Sequence, residues 1–111
     1  MATTSEERPR APRLIAILTV ALSEGTAHYV VDTENVSDAG LCLCPRKLFP
    51  AGTQLHLVFG QPPELTEVSA HGIVRWSRDG KGVGVEFTSI SADDRQALLR
   101  FVSSQRQGEL V

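Results

Sequence analysis

Between residues 53 and 87 apolar side chains recur at every second position, and that pattern sets the architecture. Leu55, Leu57 and Phe59 alternate with Gln54, His56 and Val58. Val68, Ala70, Gly72, Val74 and Trp76 alternate with Ser69, His71, Ile73 and Arg75. Val83, Val85 and Phe87 resume the pattern beyond a loop, residues 77–81, that carries Asp79-Gly80. Successive side chains of a strand point to opposite faces, so period two puts one face in a core and leaves the other wet. Asp-Gly between two such runs is a hairpin signal. These runs belong to a twisted antiparallel sheet, and the continuous stripe places Trp76 and Phe87 inward with the rest.

The flanking segments extend the sheet. Residues 14–22 (LIAILTVAL) form a continuous apolar run that the Ser23-Glu24-Gly25 stop limits to strand length, and residues 27–34 (AHYVVDTE) form the next strand. Leu41 and Leu43 alternate with Cys42 and Cys44 in a short third strand, and Phe49-Pro50-Ala51-Gly52 is a turn. After Thr88 the period changes. Ser91-Ala92-Asp93-Asp94 has the spacing of a helix cap, and Ala97, Leu98, Phe101 and Val102 follow at helical intervals, which predicts a helix over 92–105. The expected fold is all-β with one C-terminal helix, six antiparallel strands in a barrel or a sandwich, with the helix packed on the sheet or across a barrel opening. At 111 residues there is room for one domain, residues 13–105, with an N-terminal arm at 1–12 and a tail at 106–111.

Charge and chemistry exclude several function classes. A net charge of −2 provides no global field for DNA or an anionic membrane, so any anion site is local. Three of the 11 Lys and Arg residues fall at Arg8, Arg10 and Arg13. One Trp, one Tyr and four Phe, mostly in core-like positions, are too few for the stacking platforms of a single-strand nucleic-acid binder. Cys42 and Cys44 are two apart on one strand, poor disulfide geometry, and read as small packing thiols in a reducing cytoplasm. His28, His56 and His71 fall on three strands and read as scattered polar-face residues, with no metal site implied. The 14–22 run is too short to span a bilayer, and its cleavage as a signal would remove a strand this small domain needs. No catalytic fingerprint is present, so no enzyme, no cofactor and no membrane insertion are expected, and the location expected is cytoplasmic.

One polar turn stands out. Asn35-Val36-Ser37-Asp38-Ala39-Gly40 reads N-x-S-x-x-G between two strands, downstream of Pro12-Arg13. With Gly52-Thr53, Gly72-Ile73-Val74-Arg75-Trp76 and Gly82-Val83-Gly84-Val85-Glu86-Phe87 in order, the chain from Arg13 to about Val102 resembles the bacterial PilZ domain family. The resemblance implies a six-stranded barrel followed by a helix, and a non-catalytic receptor for cyclic di-GMP that acts on a partner protein in trans. It implies that Asn35, Ser37 and Gly40 meet the ligand from one side while Arg8, Arg10 and Arg13 supply the other. Asn35 would hydrogen-bond a guanine edge, Ser37 would support the ligand or fix the turn, and Gly40 would permit φ > 0 or close backbone approach. A plain β-turn also accounts for these three residues, with Asn and Ser bonding their own backbone.

The arm departs from the family's R-x-x-x-R. With Arg13 as its second arginine, Pro9 takes the place of the first, between Arg8 and Arg10. Pro9 and Pro12 bias the arm toward polyproline II, in which Arg10 and Arg13 share a face about 9 Å apart and Arg8 points elsewhere. Arg10 is therefore the better substitute. The alternative implied by the mismatch is an adaptor that keeps the fold, no longer binds cyclic di-GMP, and works by protein–protein contact alone.

Overall fold

The structure, a computed structural model, describes residues 14–45 and 49–110. Its strands are β1 (Leu14–Ile15), β2 (Thr19–Glu24), β3 (Ala27–Val36), β4 (Gly40–Cys44), β5 (Gln54–Gln61), β6 (Leu65–Arg78) and β7 (Gly82–Ile90), followed by helix α1 (Ala92–Leu110). All pairings are antiparallel. The sheet runs β1-β3-β2-β5-β6-β7-β4, and β4 pairs again with β3, which closes six strands into a barrel. The expected architecture is the observed one, with one extra short strand.

That extra strand corrects the reading of residues 14–22 as a single element. Leu14 and Ile15 pair with Val36 and Asn35, whereas β2 begins at Thr19 opposite Asp32. The Ala16 amide bonds the Glu34 carbonyl and the Thr33 amide bonds Leu18, so Ile17 is the surplus residue between them. It stands 78% exposed. The buried Thr33 hydroxyl holds this break together: it donates to the Ala16 carbonyl at 2.7 Å and accepts from the Leu18 amide at 2.9 Å. A run that looks uniformly apolar is thus two strands around a pinned irregularity.

The interior is filled by the alternating residues. Val20, Leu22, Leu55, Leu57, Phe59, Val68, Ala70, Val74, Val83, Val85 and Phe87 are buried together, and Phe59 stacks on Phe87 at 6.2 Å between ring centres. Leu98, Phe101 and Val102 of α1 enter the same cluster as Leu14, Leu18 and Leu65, so the helix closes an opening of the barrel beside β1 and β6. At its start the Ser91 hydroxyl accepts from the Asp94 amide at 3.0 Å, the cap its spacing predicts. Asp94 in turn accepts the Ser69 amide at 3.1 Å and ties the helix to β6. The helix runs to Leu110 rather than stopping at 105, because no proline interrupts it after the apolar spacing ends. Among the described residues no helix is long and apolar enough to cross a membrane.

Candidate ligand-binding face

Asn35 and Gly40 are strand residues, and the connection between β3 and β4 is only residues 37–39. Ser37 is 1% exposed. Its amide donates to the Gly40 carbonyl at 2.8 Å, while its hydroxyl lies 3.3 Å from the same carbonyl and accepts the Ala39 amide at 3.1 Å. Of its two expected roles, Ser37 therefore fills that of fixing the turn. The Phe87 amide donates to the Ala39 carbonyl at 2.9 Å, which anchors the turn to β7. Gly40 is needed for close approach and not for φ > 0: a Cβ there would run into the Val85 carbonyl, and its φ is not among the positive values.

Two β-bulges decide which side chains reach the outer surface here. In β3 the register shifts between Thr33 and Asn35. Val31 and Thr33 point inward, so strict alternation would turn Asn35 inward too. The extra residue brings it to the outer face, opposite Cys42. In β6 the register shifts between Val74 and Trp76, with Arg75 surplus, and Trp76 emerges opposite Gly84. Trp76 is 38% exposed, which corrects the inward placement predicted from the period-two stripe. Phe87, on the same expectation, is in the core.

The result is a single cross-strand row on the outside of the barrel: Ile15, Asn35, Cys42, Gly84 and Trp76, on β1, β3, β4, β7 and β6. From Asn35 to Trp76 it covers three strand spacings, about 14 Å. Gly84 is required because a Cβ would occupy the space of the Trp76 ring. The Arg78 guanidinium carbon lies 5.8 Å from that ring's centre, within cation–π range. Arg75 Nε pairs with Glu86 Oε1 at the next level, both side chains about half exposed. A polar end, a small-residue floor and an aromatic end capped by a cation lie in line.

The charge on this face is mostly negative among the described residues. Asp32 and Glu34 stand exposed on β3 before Asn35, Asp38 lies in the turn after it, and Asp38 Oδ1 is buried with no hydrogen-bond partner among the described residues. Cys42 Sγ faces Glu34 Oε1 at 3.6 Å and is buried, whereas Cys44 is exposed, so only one of the two thiols packs as expected. Partial burial, then Glu34 and Asp32, push the Cys44 thiol above its usual range and keep it protonated at neutral pH. Arg8, Arg10 and Arg13 lie outside the described residues. The first described residue after them, Leu14, pairs with Val36 next to Asn35.

The PilZ domain model matches residues 7–104. The chain belongs to the PilZ domain family. Among solved structures, this PilZ domain superposes on the Bacillus subtilis inhibitor of motility (MotI/DgrA) with a TM-score of 0.78 at 22% identity, covering 92% of this chain and 53% of that one. It therefore spans about half the length of that protein. It also superposes on the PilZ domain of CeSA from a cellulose-synthesizing bacterium, with a TM-score of 0.62 at 17% identity over 85% of this chain and 97% of that one. At such identities the likeness is one of fold. No curated protein matches the chain.

The sequence pointed to Asn35, Ser37 and Gly40 through their spacing, and the structure brings them to one end of the row. Trp76, Gly84 and Arg78 at the other end were not selected from the sequence as site residues. Their signal was present in the Gly84–Trp76 pairing, but alternation alone concealed the bulge that produces it.

Proposed function

We propose that this PilZ domain is a non-catalytic cyclic di-GMP receptor whose ligand lies along the outer row from Asn35 to Trp76, covered by the N-terminal arm, and whose occupancy is read by a partner protein. The observation that carries the reading is the row itself, which two independent bulges create by turning Asn35 and Trp76 outward together. Asn35 offers an amide for a guanine edge, and Trp76 with Arg78 offers a stacking platform and a cation. Gly84 in between lets the Trp76 ring lie against the backbone, and the part-exposed ring is the surface offered to a base.

The phosphates need more positive charge than Arg78 brings, since Asp32, Glu34 and Asp38 toward the Asn35 end repel them. Arg10 and Arg13 supply it. Arg13 directly precedes Leu14 in the sequence, and Leu14 pairs with Val36 next to Asn35. The same carboxylates give the arm a resting partner without ligand. Exchange of the arginines from carboxylate to phosphate would then change the surface that a partner meets.

Calorimetric titration of cyclic di-GMP into the wild-type chain tests this reading, with Arg10→Ala, Arg13→Ala and Trp76→Ala as variants. A charged hydrogen bond contributes about 1.5–3 kcal/mol, so each arginine variant is expected to bind roughly 10- to 150-fold more weakly. Flat heats from the wild type at high micromolar ligand would leave the ligand-free adaptor as the reading. The arm's Pro9, where the family has arginine, favours that alternative.

A further inference from the structure

The three histidines that look scattered in the sequence lie at one level of the barrel. Ser23 of β2 pairs with His28 of β3 on one side and His56 of β5 on the other, and His56 pairs with His71 of β6. His71 pairs in turn with Ser89 of β7. The row His28, Ser23, His56, His71, Ser89 therefore crosses five strands on the outer face. It is separate from the row of the proposed receptor site, which runs over β1, β3, β4, β7 and β6. His56 and His71 also line a cavity of about 270 Å³ with Ser23, Gln54 and Thr88, while Gly72 adds no side chain to it.

We propose that His56 and His71 form a two-imidazole chelate for a borderline divalent transition-metal ion of the Zn²⁺, Ni²⁺ and Cu²⁺ class. The ring centres are 4.8 Å apart with planes inclined by 35°. With a metal–nitrogen bond of about 2.0–2.1 Å and the ring centre roughly 1.2 Å beyond, each centre would stand about 3.2 Å from a shared ion. Centres 4.8 Å apart then subtend about 97° at that ion, between the square-planar and tetrahedral angles of about 90° and 109°. The backbone pairing has already set the ligand separation, and rotation of the His71 ring about its soft χ2 bond aims its nitrogen.

His56 also has the outer support that ligating histidines use. Its Nε2 lies 2.8 Å from the Ser69 hydroxyl, which fixes the ring and leaves Nδ1 for the ion. Ser69 is itself held through its amide by Asp94 at the cap of α1. His28 is assigned no ligand role, because its Nδ1 engages the Ser23 hydroxyl at 3.1 Å, between it and His56. Among the described residues no third His, Cys, Asp or Glu is gathered at a common point with the pair. Water then completes the coordination shell, and the site stays open on its solvent side. Two nitrogens without carboxylates suit Zn²⁺, Ni²⁺ or Cu²⁺ and not Mg²⁺ or Ca²⁺.

The probe is Ni²⁺, titrated calorimetrically into the full chain without a polyhistidine tag and in a Cys44→Ser background that removes the exposed thiol. The expected result is one saturable site per chain. His56→Asn and His71→Asn, both surface substitutions, should each weaken it by about tenfold or more, with His28→Asn equal to the parent. The ring ¹H–¹⁵N signals of His56 and His71 should move on addition of Zn²⁺ while Mg²⁺ leaves them in place. Absence of saturable Ni²⁺ binding, binding retained in the His56→Asn/His71→Asn double variant, or an equal loss in His28→Asn would each overturn the assignment. None of these readouts uses cyclic di-GMP, so the result is independent of the receptor reading.

Discussion

Gly40 and Gly84 show how the same residue type can be required for opposite reasons. At Gly40 an added Cβ meets the Val85 carbonyl, which is backbone and cannot yield without parting β4 from β7. Gly40→Ala is expected to destabilise the domain by about 2 kcal/mol or more, seen as a lower urea midpoint at unchanged slope. At Gly84 the obstacle is the Trp76 side chain, which is 38% exposed and has solvent on its outer side to yield into. Gly84→Ala should leave the urea midpoint nearly in place, shift tryptophan emission to the red, and weaken cyclic di-GMP binding by about tenfold, within the range of one lost stacking contact. A ligand site elsewhere would leave the affinity untouched. Ser37 belongs with Gly40: its buried hydroxyl donates to the Gly40 carbonyl and accepts the Ala39 amide, and so fixes the turn that follows Asn35.

Among the elements, irregularities matter more than regular strands. The β1–β2 break depends on one hydroxyl. Thr33→Val keeps the volume and removes both of its hydrogen bonds, which leaves the Leu18 amide and Ala16 carbonyl without that partner. Such a loss in a buried position costs about 1–3 kcal/mol, to be measured by urea unfolding, and amide exchange at Leu18 should accelerate. Hydropathy made the barrel legible: inward residues on β5, β6 and β7 were readable from period two, and the start of α1 from Ser91 and Asp94. Bulges were not legible. They arise from cross-strand pairing, which no single run encodes, and one extra residue inverts every following side chain. That is why Trp76 was read as core and why residues 14–22 were read as one strand. The same blindness to pairing hid the histidine row, whose members are far apart in the chain and adjacent in the sheet.

For the molecule as a whole, the barrel and the arm have separable duties. Residues 1–12 (MATTSEERPRAP) carry no apolar periodicity to add to a core, so their deletion should leave the melting temperature within a few degrees of the parent. The same deletion removes Arg10 and leaves Arg13, so cyclic di-GMP binding should weaken by at least the roughly 10- to 150-fold of one lost arginine contact, and wild-type affinity should fall as salt rises. A truncated chain that binds at wild-type affinity would take Arg10 out of the phosphate contacts. Closure of β3 onto β4 has a further consequence for company. The six barrel strands already have partners on both sides, and β1 offers only two residues with α1 beside it. Among the described residues, a partner that would zip onto this domain by adding a strand and reading amides and carbonyls, the common low-specificity route to sheet proteins, finds only short stretches of open edge. It must recognise side chains, so small differences in surface composition between such barrels are enough to keep their conversations apart.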